Sequence, residues 1–129
     1  MKKTDAEIEV RLKSIETKKE EVEIKRAELE KREGKKVHAF YFDTPDFGQV
    51  VGFIKEPALF VKMQSVDMAQ RGSKTSAAQI ILDVCLMKEE SDPRIYNDDP
   101  QGKYDDIKMG ANFAAQGIIT YCVDLLKKN

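Results

Sequence analysis

Residues 37–54 read Val37-His38-Ala39-Phe40-Tyr41-Phe42-Asp43, then Thr44-Pro45-Asp46-Phe47-Gly48, then Gln49-Val50-Val51-Gly52-Phe53-Ile54. The two outer runs are rich in aromatic and β-branched side chains, which fit a pleated, half-buried surface. The middle five residues are turn chemistry: proline presets φ and glycine accepts positive φ. The spacing predicts a β-hairpin. His38, Phe40 and Phe42 fall on one face of its first strand, and Val37, Ala39 and Tyr41 on the other, so both faces carry material to bury. Two strands alone are marginal in water, so the hairpin must lean on helices or on strands of another copy.

C-terminal to the hairpin the period changes. Pro57 suits the first position of a helix, and Leu59, Met63, Val66 and Ala69 recur at helical intervals up to Arg71, before Gly72. Ser76 and Gln79 have the spacing of a capping box, which would open a helix from Ala77 to Met87 with Ile80, Ile81, Val84 and Cys85 apolar. Residues 88–103 contain Asp92-Pro93, Asn97-Asp98-Asp99-Pro100 and Gly102, the composition of a long polar loop. A last helix is expected from Tyr104–Asp106 to Lys127–Lys128, with acids at its positive end and lysines at its negative end. Its stripe would be Ile107, Ala111, Ala114, Ile118, Cys122 and Leu125.

N-terminal to the hairpin, 22 of the first 36 residues are charged, 12 of them Lys or Arg. This segment has no proline or aromatic residue, and its first glycine is Gly34. Thr4 with Glu7 makes a capping box, and Gly34 suits a helix C-terminus. Glu7–Arg11, Glu9–Lys13, Glu21–Lys25 and Glu28–Arg32 are i,i+4 pairs in the favourable order. Ile8, Ile15, Val22 and Leu29 recur every seven residues, one seam position of a heptad. The other seam position holds Asp5, Leu12, Lys19 and Arg26, so a coiled coil is possible but only half furnished. The expected fold is therefore α+β: a long, charged N-terminal helix, then a β-hairpin packed with three α-helices. Residues 1–36 would form a helical arm and residues 37–129 a compact module.

Composition excludes more than it names. The chain of 129 residues is the size of one domain, with 41% hydrophobic and 35% charged residues and a net charge of −1. Near neutrality gives no basic field for nucleic acid. No run of about 20 apolar residues would span a membrane. Two cysteines and no signal-peptide pattern fit a reducing cytoplasm. His38 is the only histidine, and one histidine cannot build a His-rich metal site. Cys85 and Cys122 fall on apolar stripes and lack redox spacing. Asn97, Asp99 and Gly102 match positions 1, 3 and 6 of a calcium loop, but position 12 is Lys108 where a glutamate is required. No phosphate-cradling loop, GxSxG or HExxH occurs. No catalytic residue, cofactor or metal is expected.

The order of a hairpin running into Gly52-Phe53-Ile54-Lys55-Glu56-Pro57, a helix with Met63, Met68 and Ala69, a helix ending in Leu82-Asp83-Val84-Cys85, an acidic loop and a terminal helix resembles small tail assembly chaperones and related accessory proteins of tailed bacteriophages, over residues 37–129. The resemblance implies a non-enzymatic protein of the host bacterial cytoplasm that binds hydrophobic helical stretches of the tape-measure protein. It also implies a homo-oligomer. The residues expected to meet other proteins are Ile8, Leu12, Ile15, Val22 and Leu29 of the arm stripe and Phe47 in the turn. The alternative is a structural subunit of a virion or similar particle, packed through its arm.

Overall fold

The computed structural model describes the backbone of residues 5–127 and the side chains of Ala6 and residues 18–125. The chain runs α1 (Asp5–Glu33), β1 (Val37–Thr44), β2 (Gly48–Lys55), α2 (Leu59–Gln70), α3 (Lys74–Cys85), a single 3-10 turn (Pro93–Ile95) and α4 (Asp105–Lys127). Among the described residues four helices and one antiparallel hairpin make an α+β fold, as the sequence predicts.

The hairpin register runs from Val37 opposite Lys55 to Thr44 opposite Gly48. At the turn, Thr44 Oγ1 accepts from the Phe47 amide and donates to the Gly48 carbonyl, and Gly48 takes the positive φ of 73° that closes it. Arg94 braces the same turn, donating to the Phe47 and Gln49 carbonyls while paired with Asp92. Period two then sorts the side chains into two separate clusters. Val50 and Ile54, with Phe40 and Phe42, join the main core built on α3 and α4. Val37 and Phe53, with Ala39, Tyr41 and Val51, join a second cluster under α1.

α1 is what covers that second face. Val22 and Leu29 are buried against Val37, Phe53 and Met87, so the boundary drawn at residue 36 crosses a shared apolar cluster. The lengths match. Glu30 accepts from the Val37 amide at one end of β1, and Lys18 lines a shared cleft with Gln49 and Val51 near the turn at the other. The twelve helical steps from Lys18 to Glu30 rise about 18 Å, and the six strand steps from Val37 to Asp43 rise about 20 Å. Gly34, at φ 64°, lets the chain reverse from helix into strand, its amide bonded to the Glu30 carbonyl.

The ion pairs of α1 differ from the i,i+4 set the sequence predicts. Arg26 clamps Glu23 and Glu30, while Lys25 and Arg32 reach off the helix to Glu90. Thr4 and the side chains of Glu7, Glu9, Arg11 and Lys13 lie outside the described residues. Glu90 belongs to the expected polar loop, whose first residues also pair with the hairpin. Met87 donates its amide to the Phe53 carbonyl, Asp92 to the Val51 carbonyl, and Ser91 Oγ accepts from the Phe53 amide. Residues 86–92 thus satisfy the outer edge of β2, which would otherwise present unpaired backbone groups.

The helix boundaries need two corrections. α3 begins at Lys74, three residues before the expected start, so Ser76 lies inside the first turn and does not cap; Ser73 takes the N-cap position without a side-chain hydrogen bond. It ends at Cys85, because Leu86 turns extended to pair with Ile54. The buried face of α3 is Ala77, Ala78, Ile81, Leu82 and Cys85, while Val84 is exposed. On α4, Ile107, Ala111, Ile118 and Cys122 are buried as expected. Gly110 leaves room for Phe42, since a Cβ there would stand 2.6 Å from the ring. Gly52 does the same for Phe40, its cross-strand partner.

Leu29→Ala is expected to lower unfolding free energy by about 2 to 4 kcal/mol in urea titration; a change within about 0.5 kcal/mol, as at an exposed site, would mean α1 does not cover the hairpin. Gly52→Ala displaces the Phe40 ring and is expected to cost about 1 to 3 kcal/mol. Adding Phe40→Leu should recover part of that loss in a double-mutant cycle, and additive losses would contradict the steric account.

Candidate interaction surface

α2 has two faces and the fold uses one. Ser65 and Val66 are buried and Val61, Met68 and Ala69 lean on the main core. The expected stripe Leu59, Met63, Val66 and Ala69 is therefore only half covered. Leu59 is 73% exposed, Phe60 76% and Met63 62%. Exposed apolar side chains gathered in one place mark an interaction surface more often than scattered ones do.

The gathering is concave. Leu59, Met63 and Val66 of α2 face Cys122 and Leu125 of α4 across a groove of about 400 Å³, rimmed by Lys62, Asp67 and Gln70. Val66 and Cys122 are buried, whereas Leu59, Met63 and Leu125 remain exposed. An open cleft of about 950 Å³ also follows the junction of α1 and β1, lined by Arg26, Glu30, Lys36 and His38. Its charged walls already bond among themselves, Arg26 to Glu30 and Glu30 to the Val37 amide. Val84, Met109 and Phe113 are also exposed, but they do not line the apolar groove, where exposed apolar side chains stand around a concave floor. It suits an amphipathic helix, which lays one apolar face into such a groove.

Of the residues picked from sequence, the three whose side chains are described lie elsewhere. Val22 and Leu29 are inside the cluster beneath α1 and present no free apolar surface. The side chains of Ile8, Leu12 and Ile15 lie outside the described residues. Phe47 does not stand free in the turn: it packs on the main core, edge-on to the Tyr104 ring at 5.5 Å, with the Arg94 guanidinium over it. Sequence periodicity contained Leu59 and Met63 as an apolar stripe, but a helical stripe does not say whether the chain itself covers it.

The titratable groups serve the fold. His38 Nε2 approaches Glu56 Oε1 to 3.5 Å without the geometry of a hydrogen bond, and both atoms are buried. Lys62 Nζ stands 3.5 Å from the same oxygen. The Tyr121 ring lies edge-on to His38, and its hydroxyl accepts from Lys36. Burial pushes the His38 pKa down, against the pull of Glu56. Burial pushes the Cys85 and Cys122 thiols up, and both cysteines are free and buried. Asp99 organises its own turn, accepting from the Gln101 and Lys103 amides. Among the described residues no three His, Cys, Asp or Glu side chains are placed to hold a metal, and no helix is long and apolar enough to cross a membrane.

His38 also sets a pH dependence. A histidine with a folded pKa below its ordinary 6.5 binds its proton more readily when unfolded, so its stabilisation is whole above that value and declines as pH falls through it. Glu23, Glu30, Glu33, Glu90 and Asp92 are held below their ordinary carboxylate values by hydrogen bonds, chiefly to arginines and, for Glu30, the Val37 amide. Their losses begin only at lower pH. Thermal melts between roughly pH 7 and pH 5 should therefore show a decline that His38→Gln flattens; parallel curves would contradict the burial of a neutral His38. Compared with protein-family models, curated proteins and solved structures, the chain matches none.

Proposed function

We propose that this chain acts by binding alone, as a phage-type assembly protein that holds an apolar helical segment of a tail protein, of the tape-measure kind, in the groove between α2 and α4. The observation that carries the reading is the exposure of Leu59, Met63 and Leu125 around a concave apolar floor of Val66 and Cys122. Burial of such surface is worth about 25 cal/mol per Å², offset by the entropy of ordering the partner. The balance is a reversible interaction, which suits a chaperone-like protein that holds a helix and then releases it. The order of elements over residues 37–129 supports the same reading through its resemblance to tail assembly chaperones. On this account the protein works in the host cytoplasm and is no enzyme.

A structural subunit packed through its arm draws less support, because Val22 and Leu29, half of the seven-residue stripe, are buried within the chain itself. The binding test is titration of a synthetic peptide spanning an apolar helix of a tape-measure protein. The full chain should bind it, and Met63→Glu should weaken binding at least about tenfold with an unchanged melting curve. Equal affinity of both proteins would sink the groove as the site. The purified particle provides a second check: the reading expects this chain to be absent, and a fixed copy number there would favour the structural subunit.

A further inference from the structure

The groove-facing side chains of α2 follow a heptad. Leu59, Met63, Val66 and Gln70 are spaced 4, 3 and 4, the seam spacing of paired helices. Lys62 and Asp67 flank that seam on opposite sides and both rim the groove. They stand five residues apart, the separation at which flanking charges of two parallel, in-register helices meet.

We propose that the occupant of this groove in the free protein is α2 of a second copy, packed parallel about a twofold axis. In that arrangement the exposed Leu59 and Met63 meet their own counterparts, above the buried floor of Val66. Lys62 of each copy faces Asp67 of the other, twice by symmetry, as an isologous interface requires. The charges also choose the orientation. An antiparallel pair sets like flanks together, Lys62 beside Lys62 and Asp67 beside Asp67, which is repulsive. Asp67 is held only at the surface, whereas Lys62 also neutralises the buried Glu56 carboxylate and would be shared between it and the partner's Asp67. Lys62 Nζ lies 3.5 Å from Glu56, and the Asp67 carboxylate 3.3 Å from Arg71 with both side chains largely exposed. Self-pairing uses the surface that the proposed function assigns to a client helix and rests on that reading only in the choice of groove. It makes the dimer the resting form, which a client helix displaces.

Charge reversal tests this, read by sedimentation velocity on the full chain. The native chain should sediment as a dimer. Lys62→Asp and Asp67→Lys each place like charges at both contacts, and each should raise the dimer dissociation constant at least about tenfold. Mixing the two variants should restore a dimer containing one of each, and the double reversal should restore the homodimer. Circular dichroism checks that the variants fold. Should a second carboxylate beside Glu56 prevent Lys62→Asp from folding, Asp67→Lys, at an exposed position, must still dissociate the pair. A native chain that is monomeric at high concentration, even one that binds the client peptide, overturns the self-pairing and leaves the client reading intact. A dimer indifferent to both reversals, as one held by the arm would be, also overturns it. A charge-sensitive dimer that ignores the client peptide supports the self-pairing and counts against the client reading.

Discussion

A single pair of β-strands with apolar side chains on both faces is the constraint from which the rest of this structure follows. Such a ribbon has too little interior of its own, so each face needs a separate cover. α3 and α4 cover one face, over Phe40, Phe42, Val50 and Ile54, and α1 covers the other, over Val37 and Phe53. The exposed edge of β2 is a third demand, met by residues 86–92. Ion pairs from Lys25 and Arg32 to Glu90 then tie the edge cover to the face cover. The highly charged helix is thereby part of the fold over its second half.

This arrangement also explains why α2 keeps an unused face. With the inner face of the hairpin taken by α3 and α4, α2 is left to pack along the side of those helices. Only one edge of it is buried, through Ser65 and Val66. Leu59 and Met63 remain outside, next to the C-terminal end of α4 and Leu125. The exposed groove is thus a consequence of which helices the hairpin has already engaged, and its floor is shared with the core through Val66 and Cys122.

The hairpin was legible because period two and the Pro-Asp-Phe-Gly turn agree with each other, and both faces of it read as apolar from His38 and Val37 onward. α4 was legible because its dipole-matched ends and its stripe agree. The edge cover was not, since the pairing of Met87 and Asp92 with β2 joins residues more than 30 positions apart and leaves no local pattern. The arm showed the same divide. Its single apolar stripe with a polar second seam reads as an incomplete coiled coil, whereas a helix lying on a hairpin needs only that one row. The groove was half legible: Leu59 and Met63 stood out as apolar at helical spacing, but exposure depends on the packing order of four helices. Phe47 illustrates the reverse error, a turn aromatic expected outside that finds Tyr104 and Arg94 instead.

Amide hydrogen exchange on the native chain tests the two-sided cover most directly. The second half of α1, from Val22 to Glu33, should be protected and should open at the same free energy as β1 and β2, because removing either cover leaves a hairpin that cannot persist. Rapid exchange throughout α1 beside a fully protected hairpin would contradict the account, since it would mean the strands hold with one face bare.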